Sequence, residues 1–155
     1  MPPTEIQQWM ANGEEWNFPE TLRGADEFVD HLEWWITKNL EPCPHHVAHL
    51  FVPGFYLRQC LCPAGVLGTT KIHKTKHPYI VTHGRIAVWS LNDGYKVVEA
   101  PHCGITQPGT RRVFYAFEDT LWTTVHATTL TDPEEIEREI IQPHTNPMLP
   151  CLSGY

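Results

Sequence analysis

No stretch of this chain approaches the roughly 20 consecutive apolar residues that a membrane-spanning helix requires, which argues against a membrane protein of that kind. Basic residues are scarce. Eleven Lys and Arg stand against 18 Asp and Glu, a formal net charge of −7, and so poor a supply of cations argues against sequence-independent binding to nucleic acid or to an anionic membrane surface. The five cysteines, at positions 43, 60, 62, 103 and 151, are odd in number and lack any paired Cys-x2-Cys spacing, so neither a disulfide framework nor a zinc ribbon is expected. Cys60 and Cys62 would face the same side of a strand and offer a thiolate pair, but reduced, buried thiols are the plainer reading. The first residues show no basic-then-apolar leader pattern, and a cytoplasmic location is expected.

What the chain does hold is histidine, ten in 155 residues, with 41% hydrophobic and 11% aromatic content, enough to bury one real core and too little length for two. Three zones follow. Residues 1–46 read as a helical extension, with a short capped helix from Pro3 to Met10 and a longer one from Asp26 to Leu40. In the longer helix Phe28, Leu32, Trp35, Ile36 and Leu40 recur near the helical period, Trp34 widens that face, and the stripe is expected to cover an outer face of the following domain. Residues 47–142 read as a strand-rich domain that closes on a helix beginning at Thr131-Asp132-Pro133-Glu134. Its strands are expected at Phe55–Cys62, Val66–His73, His77–His83, Arg85–Leu91, Lys96–Ala100, Gly104–Gln107, Arg112–Phe117 and Leu121–Thr128. Asn92-Asp93-Gly94 supplies a hairpin turn. Residues 143–155 read as an extended tail that wraps a neighbour. Eight short strands at this spacing suit a jelly roll.

Between Gly65 and Gly84 the residues fall as Gly65-x5-Lys71-x-His73-x3-His77-x6-Gly84. Positions two apart on a strand share a face, so Lys71 and His73 look into one barrel interior, and a tight turn returns His77 beside them. A second glycine turn follows at Pro108-Gly109, three residues before Arg112. Arginine cannot ligate a metal, but its planar fork binds carboxylate or phosphate. His126, in the β-branched run Leu121–His126, is the nearest further imidazole, on a strand that can lie beside the one carrying His77.

The spacing resembles the first cupin motif, Gly-x5-His-x-His-x3-Glu-x6-Gly, with Lys71 in place of the first histidine and His77 in place of the glutamate. From about Val47 to Ile141 the chain is similar to small cupin-like proteins of tailed bacteriophages, through Phe51–Arg58, Pro63–Gly65, Lys71–Lys74, Pro108–Val113 and Glu118–Thr128. The resemblance implies a single cupin-type double-stranded β-helix with helical flanks, in a bacterial cytoplasm or a virion. A divalent transition metal (iron, zinc, manganese or nickel) on His73, His77 and His126 is expected from it, with Lys71 and Arg112 steering a small anionic molecule. The alternative for His73 and His77 is a hydrogen-bonded pair without metal, and for Lys71 and Arg112 ion pairs with Glu99, Glu118 or Asp119. His45, His46 and His49 read as solvated loop histidines at the barrel mouth, while Tyr56, Tyr79 and Tyr115 offer hydroxyls for acid and base chemistry. Two functions remain open: a metal-dependent enzyme or binder of small anions, and a phage assembly module whose motif is a relic. Homo-oligomers are expected under either, with virion proteins as partners under the second.

Overall fold

The computed structural model describes residues 25–43 and 46–149. The short helix expected from Pro3 to Met10, His45 and the last six residues lie outside the described residues. Among the described residues two helices, α1 (Ala25–Asn39) and α2 (Pro133–Ile140), flank nine strands: β1 (His46–Val52), β2 (Phe55–Cys62), β3 (Leu67–Thr69), β4 (His77–His83), β5 (Arg85–Ser90), β6 (Gly94–Glu99), β7 (His102–Thr106), β8 (Val113–Ala116) and β9 (Thr120–Ala127). They form two antiparallel sheets, a five-stranded one in the order β1-β2-β9-β4-β7 and a four-stranded one in the order β3-β8-β5-β6.

The two sheets face each other across a core of Tyr79, Val81, Ile86, Val88, Val98 and Ala116, with Tyr79 stacked on Trp122 at 4.3 Å. The four-stranded sheet is covered on its other face as well. Phe28, Val29 and Leu32 of α1 pack there on Leu67, Ala87, Trp89 and Val113, as the helical stripe predicts. A strand buried on both faces reads as an unbroken apolar run, and β5 is buried from Ile86 through Ser90. Trp34 lies off the stripe and is exposed, whereas Val29, outside the expected set, has no exposure at all.

Two adjacent arginines tie these layers together. Gly109 turns the chain at a left-handed φ of 81°, its N–H donating 2.8 Å to the His73 carbonyl. The extended residues that follow alternate in direction. Arg111 and Val113 point to α1, and Arg112 and Phe114 point between the sheets. Arg111 is buried and pairs at 2.9 Å with both Asp30 and Glu33 of α1. The chain after α2 joins the same network, His144 meeting Asp30 at 2.8 Å and Asn146 donating to the Asp30 carbonyl at 2.9 Å. His144 and Asn146, in the stretch expected as an extended tail, thus lie against α1 of their own chain.

Two strand expectations change. His46 and His49 stand on β1, which a cluster of histidines after Pro44 disguised as a loop. The strand expected over Val66–His73 stops at Thr69, and residues 70–76 run irregularly. Gly84 closes the β4–β5 hairpin at φ 84°, where a Cβ would lie 2.2 Å from the Asp119 carbonyl oxygen, so that turn admits no side chain.

The buried pairing at Arg111 predicts a large effect from one truncation. Arg111→Ala takes the guanidinium from the buried Asp30 carboxylate, leaving it His144 alone among the described side chains, and is expected to cost about 3–5 kcal/mol in denaturant unfolding. Lys71→Ala, which breaks an exposed pair with Glu137, is expected to cost less than about 1 kcal/mol.

Candidate metal centre

His77 opens β4 and His126 lies near the end of β9, and these strands are hydrogen-bonded neighbours. His73 comes from the irregular segment before β4, held by backbone contacts to the chain leaving α2: a bridge to Ile141, and Lys74 N–H to the Ile140 carbonyl at 2.7 Å. Their rings converge, with centroids 4.5 Å apart for His73 and His77, 4.4 Å for His77 and His126, and 5.8 Å for His73 and His126. One ring nitrogen from each lies within 4.8 Å of the other two. These are the three metal-ligating positions expected from the sequence, and they meet in space.

The hydrogen bonds around the rings favour a ligand set. The His77 Nδ1 lies 3.0 Å from the Thr75 carbonyl, which can only accept, so Nδ1 carries the proton and Nε2 keeps its lone pair. His126 Nε2 meets the Thr124 hydroxyl at 3.0 Å, while its Nδ1 is buried with no hydrogen-bond partner. A buried polar atom without a partner costs about 1–3 kcal/mol, and a metal ion supplies that nitrogen with one. Burial holds the rings neutral. It lowers His73 to about 3, with His77, His126, Arg112 and Arg58 adding to the shift, and lowers His126 to about 4, with His77 and Arg58 adding. His77 is lowered by the same burial, opposed in part by the Thr75 carbonyl. Neutral imidazoles in this number suit zinc, iron, nickel or copper, so the residues present fit a divalent transition metal.

Arg112 and Lys71 part company. Arg112 is buried between the sheets, its Nη1 donating 3.1 Å to the Thr106 hydroxyl and its guanidinium 5.4 Å from the Tyr79 ring centroid. Its Nη2 is buried without a partner, and no carboxylate among the described residues pairs with it. Its charge is close enough to depress both His73 and His77. Lys71, expected beside it, turns outward: the chain there is no strand, Ile72 takes the buried position, and the Lys71 ammonium, its side chain 63% exposed, pairs with Glu137 of α2.

Tyr56 is the neighbour whose place the sequence left open. Its ring is buried, stacks on His126 at 5.9 Å and on Phe51 at 5.3 Å, and is covered by Ile136 and Ile140 of α2. Its hydroxyl meets His49 Nδ1 at 2.7 Å, so His49 is a strand residue with a partner. Tyr79 stacks inside the barrel with its hydroxyl 3.3 Å from His102 Nε2, and Tyr115 packs with Phe117 on the α1 side, away from the histidines. The Cys62 thiol is held protonated, its pKa raised by a hydrogen bond with Cys60 and by burial, and no thiolate joins a metal-competent group among the described residues. Thr75, Thr106 and Thr124, which orient the site, escaped notice in the sequence. Thr124 alone carried a signal, standing two residues before His126 on the same strand face.

The rings make stability depend on pH in a definite direction. In the unfolded chain each imidazole takes its proton near pH 6.5, while the buried His126 refuses it until about pH 4 and His73 until about pH 3. Protons therefore favour the unfolded state across that interval. Chelator-treated protein is expected to lose melting temperature steadily as the pH falls from 6.5 to 4, and His73→Asn is expected to flatten the slope. An unchanged slope in that variant would show that burial of the His73 ring contributes nothing.

No protein-family model matches the chain, and comparison with curated protein sequences finds no match. Solved structures do match. Ectoine synthase from P. lautus is 16% identical, over 75% of this chain and 86% of that one, with a TM-score of 0.52. KdgF from Halomonas sp. is 14% identical over 62% and 89%, with a TM-score of 0.49, and a cupin-2 domain protein from Shewanella frigidimarina is 10% identical over 63% and 92%, with a TM-score of 0.44. Identities this low speak to fold alone, and the likeness to ectoine synthase, together with the two facing antiparallel sheets, shows the chain to be a jelly roll.

Proposed function

We propose that this protein holds a divalent transition metal on His73, His77 and His126 and uses it, with Arg112, to bind or convert a small anionic molecule. The observation that carries the proposal is the convergence of three neutral imidazoles beside a guanidinium that has no carboxylate partner among the described residues. Bound there, the ion would act as a Lewis acid on a carbonyl or phosphoryl oxygen. The chain's own residues do the rest. Thr75 and Thr124 fix the imidazoles, Tyr56 and α2 keep water from one side, and Arg112 offers its unpartnered Nη2 to an anion. Zinc, iron, manganese and nickel are the candidates. Ectoine synthase, an enzyme by name among the matching solved structures, supports a small-molecule role on this fold without specifying the reaction.

The reading as a bacteriophage assembly module draws on lost ligand positions and on a tail free to bind neighbours. The three histidines meet in spite of the altered motif, and His144 and Asn146 of that tail lie against the chain's own helix, so the metal reading is preferred.

Elemental analysis of protein purified without a histidine tag or chelator is expected to give near one metal per chain. His73→Ala and His126→Ala are each expected to abolish retention while leaving circular dichroism unchanged. Metal absent after incubation with each of the four ions would overturn the proposal. Arg112→Met is expected to keep the metal and weaken binding of a carboxylate probe such as acetate, followed by displacement of an oxyanion, by roughly 10- to 100-fold, the worth of one hydrogen bond to a charged group.

A further inference from the structure

The five-stranded sheet has an inner face that builds the site and an outer face that no described residue covers. Four of the large apolar side chains that stand exposed lie on the outer face: Leu50 at 48%, Val52 at 52%, Phe55 at 51% and Ile105 at 50%. The strand register places them together. Val52 opposes Phe55 and Leu50 opposes Leu57 across β1 and β2, and β9 continues the face with Val125 opposite Leu57. Alternation along all five strands puts no Asp, Glu, Lys or Arg on this face among the described residues, although the chain carries 29 such residues, 11 basic and 18 acidic. In a protein of net charge −7, a charge-free sheet face of this size marks an interaction surface.

We propose that this face is the seat of a second copy of the same chain, packed sheet on sheet about a two-fold axis. Two observations select that occupant. The first is shape. At one end of the β1–β2 pair Phe55, Val52 and Leu50 protrude, and at the other end His46, Ala48, Gln59, Leu61 and Leu121 line a shallow depression of about 440 Å³. The six residue steps from Phe55 to Leu61 separate knob from hollow by roughly 20 Å along one strand. A two-fold axis lying in the plane of the interface, and crossing the strands midway between them, carries each knob into the partner's hollow, the self-complementarity that an isologous contact requires. The second is area. Five strands at about 4.8 Å spacing and seven residues at about 3.3 Å give a footprint on the order of 550 Å². Two such faces bury roughly 1,100 Å², above the ~1,000 Å² that separates specific interfaces from incidental contact. The expected contact replaces the one that composition suggested through the tail, in which His144 and Asn146 engage α1.

The test is sedimentation equilibrium of the full chain at micromolar concentration, with metal content read in parallel because the interface does not rest on the metal site. The expected mass is twice 17.8 kDa. Phe55→Glu on the knob and Ala48→Glu in the hollow are each expected to halve it, with unchanged circular dichroism and unchanged metal per chain. A wild-type chain that stays monomeric up to 100 μM overturns the proposal. So does a dimer that survives both substitutions, or one that is lost only when residues 1–24 are deleted, which would place the contact in that segment.

Discussion

Arg111 and Arg112 are the point on which the layers of this protein depend. Both are buried, they are adjacent in sequence, and the period-two alternation of extended chain sends them to opposite sides of the four-stranded sheet. Arg111 meets Asp30 and Glu33 on the helix side, and through Asp30 it also fixes His144 and the chain that leaves α2. Arg112 enters the barrel beside the three histidines. A buried cation with two carboxylates is a structural clamp, whereas a buried cation with one hydroxyl partner and one unpartnered nitrogen has a donor still to be satisfied. Register alone decides which arginine plays which part. A one-residue slip of β8 would place the paired carboxylates against the wrong guanidinium and put an uncompensated charge into each layer.

The clamp also explains how His73 reaches a centre built on strands it does not belong to. Residues 70–76 form no ladder of their own, yet their backbone is held on two sides. Gly109, which begins the arginine segment, bonds to the His73 carbonyl, and the chain beyond α2 bonds to Ile72 and Lys74. That outgoing chain continues to His144 and Asn146, anchored on α1 beside Arg111. The position of His73 therefore rests on contacts among segments far apart in sequence.

This division sets what could be read from the sequence alone. His73 and His77 were legible because motif spacing registers them against a turn that only glycine permits, and His126 because a β-branched strand in a jelly roll has few places to lie. The helical stripe of α1 and the capped start of α2, where the Asp132 carboxylate accepts from the Glu134 N–H, were legible for the same local reasons. Lys71 misled because its inward direction assumed a strand, and a strand needs a partner that residues 70–76 do not have. β1 stayed hidden because its outer side chains are as apolar as its inner ones, so the polar alternation that marks a half-buried strand is missing. Arg111 offered no signal at all. Its partners lie about 80 residues away, and an arginine beside an arginine reads as a solvated pair.

The same two strands that blur the alternation join the site to the outer face of the sheet. On β2 and β9 the inward residues are Tyr56, Trp122, Thr124 and His126, and the outward ones are Phe55, Leu57, Leu121 and Val125, in strict alternation. Covering the outer face would therefore stiffen the strand that presents His126 and its threonine partner, since a sheet clamped on both sides has less freedom to twist. The β4 ladder to β9 is irregular between Val81 and His83, beyond the part of β4 that faces the site, so Tyr79 and Thr124 keep a regular pairing where position matters. An imidazole held by stacking, by a hydroxyl two residues away and by a ladder on each side has few conformations left to lose when it takes up a ligand, which is the condition for a site that binds without first having to form.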